Sequence, residues 1–496
     1  MTQDSDQVVA THRGLVRGRA DGAAAAYRGI PYAAPPVGAL RFAPPQPHPQ
    51  WEGTRDAVHA GPSAPQNPSR LEAVMGRRTP DWNEDGCLTL NVWTPPHARE
   101  DGAARPVLLW FHGGGFSSGS AGWDWYDGAR LAARGDLIVV TANYRLGPFG
   151  YLHLPEIGAD NLGLQDQAAA LHWVRDNIAA FGGDPDAVTV GGQSAGAYAA
   201  LALATDPRTA GLVHRVLLQS GPWGLAPQDP ALAAEHAQAY LRLLDVAGRA
   251  DPGQALRTLP ASQLNAAYGT LAVQLAQAGS VAPAMYPVLG GSGLPLARRD
   301  ALTAGALDGK GLLIGTTRDE MTAFMGLDPR IRSLDRAGAL ALLAGQTPGE
   351  GEAERRYDHY AGQLPHATPG RIAIAATTDA EFRAGALEIA DHHAAAGHPT
   401  HVYQFDYSAP GDDNPLGACH CSELPFLFGT FDSFAGSPML GRPDAAARAL
   451  GDAFAGAVAA FVTTGSAHGI PAYVPDTPAR IRHFAPEAAG NDSARN

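Results

Sequence analysis

One short segment of the chain places a serine where it could act as a nucleophile. The motif "GQSAG", residues 192–196, follows the β-branched run 187–191 and opens the small-residue helix pattern 195–204. Glycines two residues before and after the serine avoid Cβ clashes in a tight strand-to-helix turn. The helix N-terminus favours a developing negative charge beside it. A second G-x-S-x-G match around Ser117 lacks a following helix pattern, so the sequence predicts Ser194 as the nucleophile.

A serine hydroxyl also needs an oxyanion hole, a base and an acid that orients the base. The segment "LLWFHGGGFSSG", residues 108–119, is a predicted buried strand that ends in three consecutive glycines. Glycines let bare backbone N–H groups point at a ligand without obstruction by side chains. The loop at 113–115 is therefore predicted to form an oxyanion hole.

The acid and the base are expected after the serine, in that order. The segment "GLLIGTTRDE" ends a predicted strand with Asp319 and Glu320, and the spacing does not choose between them. We predict His420 as the base, because it lies in a loop after a strand pattern. His392 and His393 lie on a predicted helix, where a solvated surface position is the usual interpretation.

Apolar, β-branched runs recur along the chain between segments with helical periodicity. Continuous rather than alternating apolar runs are typical of parallel strands that are covered on both faces. The alternation predicts an α/β fold with a doubly wound, mostly parallel central sheet and helices on both faces. The predicted strands are residues 105–111, 136–144, 187–192, 215–221, 311–317 and 401–407, and the predicted helices are 163–181, 195–204 and 377–396.

Two regions interrupt this alternation. Residues 225–300 are rich in Ala and Leu, and residues 325–375 mix helical patterns with turn-forming Gly and Pro. We predict a single large domain over residues 1–496, in which both regions are helical insertions over the active site. The Pro-rich N-terminal eighty residues favour extended chain that wraps the surface rather than helix.

Composition narrows the choice of partner and compartment. The formal net charge of −13 disfavours nucleic acid or an anionic membrane as the main partner, because phosphate binding requires a basic face. Neither a signal peptide nor a run apolar and long enough to span a membrane is evident. Cys87, Cys419 and Cys421 make an unlikely disulfide framework, so a reducing cytoplasm is expected. We predict no metal site at Cys419-His420-Cys421, because adjacent residues rarely converge on one ion.

Many motifs in one order over about residues 8–485 resemble the type-B carboxylesterases. This α/β-hydrolase family includes the bacterial para-nitrobenzyl esterases and acetylcholinesterase. The resemblance is far more specific than G-x-S-x-G alone. The motifs are "YRGIPYAAPPVGALRF", "CLTLNVW", "HGGGF", "NYRLGPFGYL", "NLGLQDQAAALHWVRDNIAAFGGDP", "GGQSAGA", "LLQSG", "GTTRDE" and "HCSELPFLFG".

The resemblance implies a serine carboxylic-ester hydrolase that forms an acyl-enzyme on small to medium neutral esters. It implies Ser194 as nucleophile, Glu320 as acid, His420 as base and Ser220 as a supporting serine near the triad. Asp319 then becomes a structural neighbour. The implied oxyanion donors are the N–H groups of Gly114, Gly115 and Ala195. The resemblance implies no metal or organic cofactor, and we expect Phe116 in a pocket lined largely by the insertions.

The chain departs from the family pattern at several positions. Gln193 replaces a usual glutamate, while Met321 and Cys421 replace usual glycines after the acid and the base. The two bulkier residues are expected to narrow the pocket. The segment "EDGC" at 84–87 differs from the usual pattern and leaves open whether Glu84 or Asp85 pairs with Arg41.

Two alternative functions follow from the same residues. The same triad could serve an amidase or a carbamate hydrolase, which needs better protonation of a poor leaving group. Some family members are adhesion proteins that have lost catalysis. The retained triad residues and the missing export signal argue against a non-catalytic binding homologue. The sequence makes no prediction of oligomeric state.

Overall fold

The computed structural model describes residues 7–79, 81–346, 349–411 and 414–486. Its strands form one large sheet and one small sheet among these residues. The strands are β1 Val8–Thr11, β2 Gly14–Arg17, β3 Arg19–Asp21, β4 Ala24–Pro31, β5 Thr54–Asp56, β6 Thr89–Thr94, β7 Arg105–Phe111, β8 Ile138–Ala142, β9 Gly183–Gln193, β10 Arg215–Gln219, β11 Gly311–Thr317, β12 Thr400–Phe405 and β13 Ile481–Phe484.

The large sheet has the order β13-β12-β11-β10-β9-β7-β8-β6-β4-β3. Neighbours from β13 to β8 run parallel, whereas β6, β4 and β3 continue the sheet with antiparallel pairs. The small sheet joins β1, β2 and β5. Because the parallel strands all end at one edge, the loops that follow them meet there.

Helices cover both faces of the large sheet. Along β7, Val107, Leu109 and Phe111 join one buried apolar cluster, and Leu108 and Trp110 join another. Both clusters are fully apolar, as expected for a sheet buried on two sides. The helices are α1 Glu72–Met75, α2 Ala129–Gly135, α3 Gly147–Tyr151, α4 Leu162–Asn177, α5 Ala195–Thr205, α6 Pro230–Leu243, α7 Pro252–Thr258, α8 Ala261–Leu275, α9 Arg298–Thr303, α10 Thr322–Met325, α11 Pro329–Arg332, α12 Arg336–Ala344, α13 Glu352–Gln363, α14 Pro369–Thr378, α15 Ala384–Ala395, α16 Leu424–Phe428 and α17 Ala445–Thr464.

The predicted α/β fold with a mostly parallel sheet is confirmed, and each predicted strand overlaps an observed one. The N-terminal chain is largely extended as predicted, but part of it lies in the large sheet rather than on the surface, because β4 pairs with β6. The predicted helix 377–396 is the last part of a longer helix. That longer helix begins with α14 and continues through a π-helical turn, Asp379–Arg383, into α15.

The two predicted insertions are helical where the structure describes them. Helices α6 to α9 occupy residues 225–300 apart from the last few residues of α9, and helices α11 to α14 lie within or end just beyond residues 325–375. Leu225, Val281 and Pro283 of the first region line the cavity described below, whereas no described residue of 325–375 does, contrary to the prediction that both regions lie over the active site. The division of the chain into one domain with two insertions stays a prediction.

Helix α17 is the one described helix that is long and apolar enough to cross a membrane, with a mean hydropathy of 1.4. Over half of its apolar window, 56%, is nevertheless buried inside the protein. Phe454, Val458 and Phe461 are fully buried in the cluster on one face of the sheet. These contacts are those of a core helix.

Candidate active site

Ser194 occupies a strained turn between β9 and α5. Its backbone angles are φ 57° and ψ −123°, a conformation that residues other than glycine rarely adopt. Its N–H donates to the carbonyl of Gln219 at 2.9 Å, which ties the turn to the neighbouring strand. A Cβ atom on Gly196 would lie 2.0 Å from the carbonyl oxygen of Phe111, and one on Gly192 would lie 2.4 Å from the carbonyl carbon of Gly196. Both glycines are therefore required by close backbone contacts.

The glycine loop after β7 lies directly against this turn. A Cβ atom on Gly113 would be 3.1 Å from Ser194 Cβ. Within the described residues, no protein atom accepts a hydrogen bond from the N–H groups of Gly114, Gly115 or Ala195. Unused N–H groups beside a serine can stabilise a developing oxyanion. The loop therefore has the composition and position predicted for it.

His112 anchors the start of this loop. Its Nδ1 atom donates to the Gly113 carbonyl at 2.7 Å, and its ring stacks on Tyr144 with centroids 4.5 Å apart. The Tyr144 hydroxyl donates to the His112 carbonyl at 2.8 Å. Burial lowers the pKa of His112 to about 4, so the ring is neutral near pH 7. His112 thus acts as a neutral support for the glycine loop.

Glu320 and His420 meet at the ends of β11 and the loop after β12. His420 Nδ1 lies 2.5 Å from Glu320 Oε2, and both side chains are essentially inaccessible to solvent. The other carboxylate oxygen, Oε1, accepts from the N–H of Thr317 at 2.8 Å. With Nδ1–H donating to the carboxylate, His420 Nε2 is left with its lone pair free to accept a proton.

Asp319 holds these two loops together. Its Oδ2 atom accepts from the N–H of Ala418 at 3.0 Å, and its own N–H donates to the Ala418 carbonyl at 2.9 Å. Its Oδ1 atom pairs with Arg371 at 2.9 Å. Asp319 thus makes no contact with His420 but fixes the loop that carries it.

Gln193 contacts His420 in a way that the sequence did not predict. The side-chain Nε2 of Gln193 lies 3.1 Å from His420 Nε2, where it can donate to the free lone pair. The Ser194 hydroxyl makes no hydrogen bond to any described protein atom, so in this state the amide occupies the acceptor that a nucleophile would use. A glutamate, the usual residue here, could not donate in this way unless protonated.

A second buried carboxyl group lies beside Glu320 and His420. Glu423 accepts a hydrogen bond from Ser220 Oγ at 3.4 Å, and its other oxygen has no partner among the described protein atoms. Burial, followed by the charge of Glu320, raises the pKa of Glu423 to about 8. Ser220 itself has φ 49°, and its N–H donates to the Gly315 carbonyl at 2.8 Å. Glu423 lies in the quoted motif "SELPF", but no rule of spacing assigned it a role.

Ser194 and His420 open onto one cavity of about 760 Å³, including its mouth. The rings of Phe324 and Phe382 flank His420, with centroids 5.2 and 5.0 Å away. Phe116 is almost fully buried in the wall, where it packs against Tyr151 and Tyr198. The predicted site residues that line the cavity are Ser194, His420, Gly114, Gly115, Ala195 and Phe116.

Cys421 and Met321, the two bulky residues at positions where the family pattern has glycine, lie in different places. Cys421 lines the cavity with φ 73°, and burial raises the pKa of its thiol well above the usual range. Met321 does not line it, contrary to the expectation that it narrows the pocket. Its side chain packs in a cluster with Phe382 and Met325 behind the wall. Burial of the apolar Met321 side chain in this cluster removes it from the cavity, and its backbone N–H donates to Thr378 Oγ1 at 3.1 Å.

The choice between Glu84 and Asp85 is settled by one ion pair. Arg41 Nη2 lies 2.5 Å from Glu84 Oε2, and both side chains are nearly buried. Arg41 also donates to the carbonyls of Arg257 and Leu259. Cys87, Cys419 and Cys421 are buried free thiols.

The parallel sheet, its glycine-buttressed serine turn and the histidine–carboxylate pair at one strand edge define an α/β-hydrolase. The sequence matches the carboxylesterase family over residues 5–486, and the chain belongs to this family. It is accordingly a carboxylesterase.

The relatives agree in length as well as in sequence. A phenmedipham hydrolase from Pseudarthrobacter oxydans is 38% identical over 445 residues, which cover 88% of this chain and 86% of that protein. A para-nitrobenzyl esterase from Bacillus subtilis is 39% identical over 435 residues, 86% of this chain and 83% of that protein. A crystal structure of a Geobacillus stearothermophilus carboxylesterase superposes with a TM-score of 0.83 at 35% identity, covering 97% and 96% of the two chains.

Proposed function

We propose that this carboxylesterase acts through Ser194 as nucleophile, His420 as general base and Glu320 as the acid that orients the base. The observation that carries the proposal is the 2.5 Å contact between His420 Nδ1 and Glu320 Oε2. It fixes the ring so that Nε2 faces the cavity into which Ser194 opens. The N–H groups of Gly114, Gly115 and Ala195 are the proposed oxyanion donors, and Ser220 supports the triad through Glu423.

The proposed reaction is acyl transfer in two steps. Ser194 Oγ attacks the ester carbonyl carbon while His420 Nε2 takes the hydroxyl proton, and the carbonyl oxygen becomes an oxyanion held by backbone N–H groups. His420 then gives the proton to the departing alkoxide, which leaves the acyl group on Ser194. Water, deprotonated by His420, attacks the acyl-enzyme and releases the acid. No metal or organic cofactor has a place in these steps.

The contact between Gln193 and His420 must open before the first step. The amide occupies the lone pair of Nε2 at 3.1 Å, and only one donor can use that lone pair at a time. Binding of substrate is therefore proposed to move the Gln193 amide off His420 Nε2, or to bring the Ser194 hydroxyl into its place. This exchange is local, because His420 stays anchored to Glu320 through its other nitrogen.

The substrates are proposed to be small to medium neutral esters. The cavity wall is mainly apolar and aromatic, including Phe116, Phe324 and Phe382, which suits neutral esters. The partner is accordingly a small molecule, and we propose no nucleic-acid or membrane partner. We further propose a cytoplasmic location, because the three cysteines are buried free thiols that fit a reducing compartment.

The Ser194→Ala variant tests the assignment of the nucleophile. We expect kcat for a neutral para-nitrophenyl ester to fall by about 10⁴–10⁶-fold, because nothing then forms the acyl-enzyme. Ser117→Ala is the matched control, since Ser117 belongs to the second motif match and lines the same cavity. Retention of more than a tenth of the wild-type activity by Ser194→Ala would falsify the assignment.

Hydrolysis of amides or carbamates by the same residues is the second candidate. The similarity to a phenmedipham hydrolase supports it. It is tested by comparing kcat/KM for matched ester, anilide and aryl carbamate substrates, and for phenmedipham itself. The ester is expected to react fastest. A carbamate that reacts at least as fast as its ester counterpart would favour the second candidate.

A further inference from the structure

Arg70 stands in the wall of the cavity that holds Ser194, and none of the residues described as lining that cavity is Asp or Glu. Arg70 is exposed rather than buried. No carboxylate of the described residues forms an ion pair with it. Its guanidinium is therefore available to an anion that enters the cavity.

The contacts that Arg70 does make fix its position but use little of its donor capacity. Its Nη2 atom donates to the Val281 carbonyl at 2.8 Å, and its Cζ atom lies 5.7 Å from the centre of the Phe324 ring. A guanidinium carries five N–H donors in a planar fork. Loss of solvation lowers the pKa of Arg70, with a smaller opposing effect from Tyr268. The group nevertheless stays protonated at neutral pH, because arginine is effectively always charged.

Arg70 is also close to the proposed oxyanion loop. Its Nη2 atom lies 3.7 Å from the position that a Cβ atom would occupy on Gly115. The floor of the cavity adds no negative charge, because Gln193 is a neutral amide where the family pattern has a glutamate. The cavity therefore combines a neutral floor, apolar rings and one fixed cation.

We propose that Arg70 binds a carboxylate carried by the substrate, so that the enzyme also accepts esters with a second, ionised carboxyl group. The planar fork of arginine matches a carboxylate in a bidentate geometry, and charge-assisted hydrogen bonds are about twice as strong as neutral ones. This inference rests on the proposed function of Ser194 and widens the substrate class of the same site. Neutral esters remain substrates, because Arg70 takes no part in the acyl-transfer steps.

The test compares anionic and neutral members of two substrate pairs. The first pair is para-nitrophenyl hydrogen adipate and its methyl ester, which place the charge on the acyl part. The second is para-butanoyloxybenzoate and its methyl ester, which place the charge on the alcohol part. In each pair the ratio of kcat/KM for the anion to that for the neutral ester is measured. This ratio does not depend on the fraction of enzyme that is folded.

We expect Arg70→Gln to lower the ratio by about 10–100-fold in at least one pair, and that pair identifies the part of the substrate that Arg70 contacts. Arg70→Lys keeps the charge but loses the fork, so it is expected to restore the ratio in part. Arg77→Gln is the matched control, because Arg77 lies just beyond the other end of α1 with an 86% exposed side chain and does not line the cavity.

A ratio in Arg70→Gln within about threefold of wild type for both pairs overturns the proposal. Failure of the proposed function looks different, because Ser194→Ala would then still hydrolyse both members of each pair. If Ser194→Ala loses both members while Arg70→Gln keeps the wild-type ratio, only the inference about Arg70 is wrong.

Discussion

The loops that carry the proposed catalytic residues and the wall that encloses the substrate are built by different means. The catalytic loops are tied to neighbouring strands and to one another by backbone hydrogen bonds, from Ser194 N–H to Gln219, from Ser220 N–H to Gly315 and from Asp319 N–H to Ala418. The wall consists largely of aromatic and aliphatic side chains from several loops and helices. Side-chain packing is not directional, whereas each of these hydrogen bonds requires a defined geometry.

This difference separates two kinds of effect. Changes in the catalytic loops should lower kcat for every ester to a similar extent, because they act on groups common to all transition states. Changes in the wall should alter the order of kcat/KM values among substrates. Their effect on kcat/KM for the best substrate should be smaller. The predictions below test whether the two regions can be changed independently.

The largest effect is expected at the base. His420→Ala removes the group that takes the Ser194 proton and should lower kcat by about 10⁴–10⁶-fold for short and long esters alike. His393→Ala is a suitable comparison, because that buried histidine lies on α15 and does not line the cavity. A loss confined to one class of ester would contradict a role common to all substrates.

The next effect tests the rigidity of the serine turn. Gly196→Ala places a methyl group 2.0 Å from the Phe111 carbonyl oxygen, so the free energy of unfolding should fall by about 1–3 kcal/mol. Denaturant unfolding measures the change. Gly211→Ala is the control, since nothing lies within 4 Å of its Cβ position. Equal stability of the two variants would mean that the serine turn can shift to accept the methyl group and is not rigid.

A pH-dependent effect is expected at Glu423. Its pKa of about 8 in the fold lies above the ordinary value of 4.5, so the folded protein retains a proton that the unfolded chain has lost. This group's contribution to stability therefore falls as pH rises from 4.5 to 8. Glu423→Gln keeps the shape without the charge, so its free energy of unfolding relative to wild type should rise by up to about 4 kcal/mol between pH 4.5 and pH 8.5.

The measurement for Glu423 is the free energy of unfolding of both proteins across this pH range. A difference between variant and wild type that stays constant with pH would show that Glu423 does not titrate as described. Glu388→Gln provides a carboxyl control, because Glu388 pairs with two arginines near the surface.

The smallest effect belongs to the wall. Leu225 lines both the catalytic cavity and a neighbouring apolar cavity bounded by Tyr198, Trp223 and Leu302. Leu225→Ala should join the two spaces and raise the ratio of kcat/KM for a long acyl ester over a short one by about tenfold. Leu232→Ala, at an exposed position on α6, should leave the ratio unchanged. An equal fall in kcat/KM for all acyl chain lengths would show that Leu225 affects catalysis in general, as the catalytic loops do, rather than substrate choice.

The same contrast explains which features could be predicted from the sequence. The serine turn and the glycine loop depend on glycines whose Cβ positions are blocked by backbone atoms, so local sequence carries the information. Continuous apolar runs likewise predicted the parallel strands. The choice of Glu320 over Asp319 came from the family resemblance. Spacing could not make this choice, because the two residues are adjacent and differ only in which loop their carboxylates reach.

The features that escaped prediction arise from contacts between distant segments. The amide of Gln193 meets His420 across 227 positions, and Arg70 meets Val281 across 211. The Met321 side chain packs against Phe382, 61 positions away, and so does not line the cavity. No local pattern encodes these contacts, since they depend on how the insertions pack over the sheet.

The central claim is that Ser194, His420 and the glycine loop form one assembled site. Labelling of the purified protein with a fluorophosphonate, followed by peptide mapping, tests it most directly, because the reagent requires an activated serine and an oxyanion hole together. The account predicts one adduct per chain on Ser194 and none in the His420→Ala variant. An adduct on Ser117, or no adduct on the folded wild-type protein, would contradict it.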